Sequence, residues 1–212
     1  MTERRPRADA ARNREAVLAA ADELFASSAD PRAITMADIA VAAGVGKGTL
    51  FRGFGDRTGL IRTLYAARLE PLRRAVTDGP PPLGPDTPPL ERAHALLDGL
   101  LCFKFDHRHL SLALEEAAAA GPYEAEHYAW WHGTLRDVLD RLPGFAEGGG
   151  SDFAAHALLS AVRADLVDHL AGREGLDRRE LRAGLGGFVT RVLGAPSSAD
   201  GAGPAEDAEA PS

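Results

Sequence analysis

The sequence predicts an all-α protein in which a small N-terminal helix-turn-helix module precedes a larger helical domain. Three observations lead there. Apolar residues recur at helical spacing, as in Val17, Leu18, Ala21, Leu24 and Phe25. No segment sustains the alternating, β-branched pattern of a strand. The stretch DGPPPLGPDTPP at 78–89, with six prolines and two glycines, divides the helical pattern because it cannot continue a helix.

Arg12 to Ser27 lacks Gly and Pro and reads as one helix, behind a flexible basic arm at 1–11 that carries Arg4, Arg5 and Arg7. Asp30-Pro31 ends it. Thr35 is placed to cap a second helix running to Gly44, with Asp38 at the capping-box position. A third, short helix spans Lys47 to Gly53, and Asp56 caps a fourth that carries Leu60, Ile61, Leu64, Tyr65, Leu69 and Leu72. The module and its connecting helix thus occupy 12–77, and the second domain 90–194. That domain reads as helices at Leu90–Asp106 continuing over Arg108–Ala120, then Tyr123–Leu142, Ser151–Leu170 and Asp177–Leu193, with a loop at Gly144–Ser151. The tail, 195–212, has no Leu, Ile, Val or aromatic residue and is expected to be disordered.

The net charge of −7 conceals an asymmetry. Residues 1–75 hold 13 Arg/Lys against 9 Asp/Glu, whereas 76–212 hold 11 against 22. A basic module on an acidic partner suits local DNA contact rather than general polyanion binding. No apolar run approaches the roughly 18 residues of a membrane span, and no signal-like block follows the charged N-terminus, so a cytoplasmic location is expected. Cys102 is alone and lies in the apolar run LLCFKF, where it reads as a small core residue. Paired acid/base or nucleophile signatures are missing, so no enzyme activity and no cofactor are expected.

The stretch AAGVGKGTLFRGF, 42–54, resembles a phosphate loop only superficially. Gly48 follows Gly46-Lys47 where Ser or Thr is required, and Val41 stands where the first glycine belongs. Turn chemistry explains it better. Ala40 suits a close helix crossing, Gly44 can take a positive φ, and Val45 and Leu50 point back into the core. Lys47, Thr49 and Arg52 are then left outside, on a helix short enough to enter a major groove.

Over Arg14 to Leu64, the segments REAVLAAADELFA, ITMADIAVAAGVGKGTLFRGF and GDRTGLIRTL resemble, in register, the tetracycline-repressor (TetR) family of bacterial transcriptional regulators. The resemblance implies a regulator, commonly a repressor, of a double-stranded DNA operator. It also implies a homodimer formed through the last two long helices and a pocket whose small-molecule effector releases DNA. Carried over, Thr35 and Thr49 meet phosphates or base edges, Lys47 opens the recognition helix beside Gly48, and Arg57 meets a phosphate. Gly46, Phe51 and Gly53 depart from the usual Ser/Thr, Tyr and Tyr/His. Backbone binding therefore shifts onto Arg52, Arg57 and the arm. A TetR-fold protein with a chromosome-organising role is the competing reading.

For the second domain, Leu97, Leu101, Phe105, His127, Tyr128, Trp130 and Trp131 are the candidate pocket, and the effector is expected to be apolar or aromatic. Neighbouring helical residues face about 100° apart, so Trp130 and Trp131 cannot share one core. His94, His107, His109, His127 and His132 lack the i, i+4 spacing of a helical ligand pair, and no metal site is expected from them. Small residues recur at Ala154, Ala157, Ala161 and Ala164, and at Ala183, Gly184, Gly186 and Gly187, as a close-packed dimer interface would require.

Overall fold

The computed structural model describes residues 4–28, 30–117, 123, 126–146 and 150–194, and among these every regular element is helical. The tail at 195–212 lies outside them, as do 118–120 and 147–149. Helix α1, Arg4–Ser27, begins ahead of the expected Arg12, so the backbone of Arg4, Arg5 and Arg7 lies in its first turns, where a flexible arm was expected. Alanine and arginine favour helix there, and Pro6 falls in the first turn, where a missing N–H breaks no internal bond. Val17, Ala21 and Phe25 form its buried face.

A 3₁₀ turn, Pro31–Ala33, leads to α2, Met36–Ala42. Its capping box is complete: Thr35 Oγ1 accepts from Asp38 N–H at 3.2 Å and the Asp38 carboxylate accepts from Thr35 N–H at 2.9 Å. Such a cap contributes about 1 kcal/mol. Gly44, at φ 64°, turns the chain into α3, Lys47–Phe54. Asp56 then caps α4, Arg57–Asp78, which leaves the module and becomes a wall of the second domain.

The Pro/Gly-rich stretch is packed. Thr87 is fully buried, Leu83 lies on the core, and Arg92 donates to the carbonyls of Val76 at 2.9 Å and Leu83 at 3.1 Å. A Cβ at Gly84 would come within 1.7 Å of Gly79 O, so only glycine fits. Beyond it come α5, Pro89–Asp106; α6, Arg108–Glu116; α7, Glu126–Leu139; and α8, Pro143–Ala146. The single helix expected over Ser151–Leu170 is divided into α9, Ser151–Ser160, α10, Ala164–Asp168, and a π-helical turn, His169–Arg173. Arg163 is extended at the break, and Ala164 N–H donates to the carboxylate of Glu115 at 3.0 Å. A buried carboxylate needs donors, and the restarted helix supplies one. Helix α11, Arg178–Leu193, opens with an Asp177–Glu180 capping box.

Leu97, Leu101, Leu135, Leu158 and Leu181 fill the core of the second domain, which is continuous with that of the module. Helix α6 joins the two parts by packing against α1 and α4. Across that joint Arg32 pairs with Glu116, and a His109 ring nitrogen lies 3.2 Å from Phe25 O.

Candidate nucleic-acid interface and internal cavity

The turn is built on three buried residues. Ile39, Ala40 and Leu50 sit in the small core, and Val45 N–H donates to Ala40 O at 3.0 Å, which sets α3 across α2. Leu50 alone contributes roughly 1.5–3 kcal/mol by burial. With Leu50 inward, α3 turns Lys47, Gly48, Phe51 and Arg52 to solvent. These are positions i, i+1, i+4 and i+5, a single helical face. Phe51 is 48% exposed, and Val41, at the end of α2, is 80% exposed. Gly46 provides no side-chain cap, so the first-turn N–H groups of α3 have no side-chain acceptor.

Other expected DNA contacts are engaged within the chain. Thr49 is half-buried, with the Arg52 guanidinium 3.5 Å from its hydroxyl. Thr35 is exposed, but its hydroxyl donates to Asp38 at 2.6 Å and therefore has no proton left for a phosphate. The same bonds, with Lys47 nearby, hold the Asp38 carboxyl below its ordinary range. Arg57 donates through Nε to Ile34 O at 2.9 Å and through a terminal nitrogen to Pro31 O at 2.7 Å, and its guanidinium stacks on Phe25. It fastens α4 to the entry of α2. Gly53 has open space around it and accepts from Arg14 through its carbonyl. Gly53→Ala is accordingly expected to stabilise the protein by about 0.5–1 kcal/mol, read as a rise in Tm.

A cavity of about 490 Å³ opens between α4, α5, α6, α7 and α9. Of the candidate pocket residues, His127, Tyr128 and Trp131 line it. Leu97 and Leu101 lie in the core behind it, and Phe105 faces a separate recess of about 270 Å³ beside α1. Trp130 turns away and carries the Arg73 guanidinium 4.7 Å above its ring, while Trp131 is 3% exposed. Tyr65, Lys104, Glu115 and Arg163, which are not among the residues expected from sequence, also line the cavity. Lys104 was signalled by its place inside an apolar run; Glu115 depends on tertiary packing.

Lys104 Nζ lies 2.9 Å from Glu115 Oε1, each side chain only 12% exposed, and Arg163 stands 3.7 Å from the other carboxylate oxygen. Burial, and then the charge of Glu115, raises the Tyr65 hydroxyl well above its usual range. Burial followed by Lys104 lowers the His127 imidazole, favouring its neutral form. Trp131 Nε1 is a buried donor without a partner among the described residues. With Arg62 and Arg73 also on the wall, cations outnumber the carboxylates Glu115 and Glu126. On the far side of Tyr128, His132, Asp152 and His156 bring one potential ligand atom each within 4.8 Å of one another.

A buried-alanine crossing, a glycine turn and a short exposed helix whose two cations have no ion-pair partner among the described residues define a helix-turn-helix DNA-binding module. Residues 17–64 match the model of the bacterial regulatory proteins of the tetR family, which identifies this module as a TetR-type DNA-binding module. Solved structures agree on the fold. A TetR-family regulator from Rhodococcus sp. is 23% identical with a TM-score of 0.64, covering 85% of this chain and 98% of its own. A TetR-like regulator from Rhodococcus sp. RHA1 is 20% identical with a TM-score of 0.61, covering 87% and 97%. NalD of Pseudomonas aeruginosa, the secondary repressor of the MexAB-OprM multidrug efflux pump, is 20% identical with a TM-score of 0.57, covering 87% and 98%. No curated protein matches the chain. No described helix is long and apolar enough to cross a membrane.

Proposed function

We propose that the protein is a homodimeric repressor released from a palindromic operator by a small effector held in the α4–α9 cavity. The observation that carries this reading is the single exposed face of α3, Lys47, Gly48, Phe51 and Arg52, on a helix seated by Ala40 and Leu50. Lys47 and Arg52 supply phosphate or guanine contacts, and Phe51 and Val41 supply apolar surface for thymine methyl groups. Arg4, Arg5 and Arg7 extend the basic character along the start of α1.

Dimerisation is supported by the outer faces of α9 and α11. Phe153 is 79% exposed and Val192 40%, and a Cβ at Gly184 or Gly186 would meet nothing within 4 Å. Mid-helix glycines cost about 1 kcal/mol each, and close approach of a second protomer offsets that cost. The repressor reading follows NalD, which shares the fold.

The cavity suits an aromatic or apolar body bearing an acidic or acceptor group. Tyr128 and Trp131 meet the body, Trp131 Nε1 offers a donor, and the surplus of cations favours an anion. Coupling runs through α6, where Glu115 faces the cavity and its neighbour Glu116 holds Arg32 of the DNA-binding module. An effector that disturbs Glu115 also shifts α6 against α1 and α4.

Sequencing of DNA captured by the protein at fixed physiological salt tests the reading. An inverted repeat at a few sites is expected, released by an aromatic carboxylate from a small-acid panel. Motif-free recovery spread over the genome would overturn it in favour of a chromosome-organising role.

A further inference from the structure

Tyr128 and His132 stand one turn apart on α7, and Asp152 and His156 stand one turn apart on α9. Residues i and i+4 share a helical face, and these two faces meet where α7 packs on α9. One ring nitrogen from each histidine and one carboxylate oxygen of Asp152 all lie within 4.8 Å of one another. The two imidazoles are stacked with centroids 3.9 Å apart, and His132 Nε2 is 3.5 Å from Asp152 Oδ1.

We propose that His132, Asp152 and His156 form a binding site for a late first-row divalent cation, zinc foremost, which clamps α7 to α9. The donor set selects the ion. Two imidazoles and one carboxylate suit zinc, cobalt or nickel, whereas magnesium and calcium require shells dominated by oxygen. Three protein ligands leave a fourth position for water or an exogenous donor.

The surroundings also fit. The Tyr128 hydroxyl lies 2.6 Å from His156 Nδ1. With Nδ1 donating to Tyr128, His156 Nε2 carries the lone pair that a metal needs, the outer partnership that fixes a metal-binding imidazole. The His132 side chain is 13% exposed and His156 is half-buried, whereas the Asp152 side chain is 62% exposed, so the rings are held more firmly than the carboxylate arm, which is free to swing. Neighbouring donors in a tetrahedral zinc site stand about 3.4 Å apart, given Zn–N distances of roughly 2.0–2.1 Å. Rotation of the Asp152 side chain tightens the cluster toward that spacing. His132 Nε2 also lies 3.2 Å from the main-chain carbonyl of Asp152, a contact that the metal bond replaces. Because Tyr128 also lines the cavity, a bound cation fixes part of the cavity wall.

The test uses the full chain, stripped with a chelator, dialysed, and titrated with Zn²⁺ by calorimetry and with Co²⁺ by visible absorption. One equivalent per chain is expected, with the intense visible bands of tetrahedral cobalt. His132→Gln and His156→Gln each lower zinc affinity at least about 100-fold, and Tyr128→Phe lowers it about 10–100-fold. His169→Gln, removing a ring paired with Glu174 elsewhere, leaves it unchanged. Circular dichroism establishes that each variant is folded. Should a histidine variant not fold, exposed Asp152→Asn replaces it, with at least a 10-fold loss expected. Sub-stoichiometric binding, binding that survives the double histidine substitution, or unchanged affinity in Asp152→Asn overturns the proposal.

Discussion

Glu115→Ala is expected to destabilise the protein by about 3–5 kcal/mol, the cost of leaving a buried charge without its partner. The carboxylate has three duties. It neutralises Lys104 at 2.9 Å, faces Arg163 at 3.7 Å, and accepts the N–H of Ala164 at the start of α10. Removal leaves Lys104, itself 12% exposed, without a counter-charge and uncaps α10 in the same step. Urea denaturation measures the loss. The double replacement Lys104→Met, Glu115→Leu should recover most of it, since apolar pairs often replace buried ion pairs without penalty. Equal losses in the single and double variants would mean that the cap on α10, and not the unpaired charge, dominates.

That network marks where sequence reasoning reaches its limit. Thr35 and Asp38 were legible because a capping box is local, and so were Ala40, Gly44 and Leu50, whose spacing is itself the motif. The helix break at Arg163 was not, because 151–170 has uninterrupted helical periodicity and the break answers to a carboxylate on α6. Leu97 and Leu101 follow the same logic. Periodicity identifies the buried side of α5 but does not separate side chains that fill the core from those that border a cavity. His156 escaped notice because its partner His132 is on another helix, although Asp152–His156 at i, i+4 is visible in the sequence.

Arg52 and Arg57 are expected to part company. Arg52 is exposed on the free face of α3, and its guanidinium makes a weak 3.5 Å approach to the Thr49 hydroxyl. Arg52→Ala should therefore leave stability within about 0.5 kcal/mol and lower the salt slope of DNA binding by about 1 for each protomer bound. Arg57 has two nitrogens committed to Ile34 O and Pro31 O. Its loss leaves those carbonyls without their charged donor and frees the 3₁₀ turn that precedes α2, so Arg57→Ala should cost about 2 kcal/mol with little change in salt slope. Thermal unfolding and binding across a salt series, measured on both variants, separate the roles. The reverse outcome, a reduced slope in Arg57→Ala with stability intact, would place phosphate at the start of α4 and assign the Arg52 side chain to solvent.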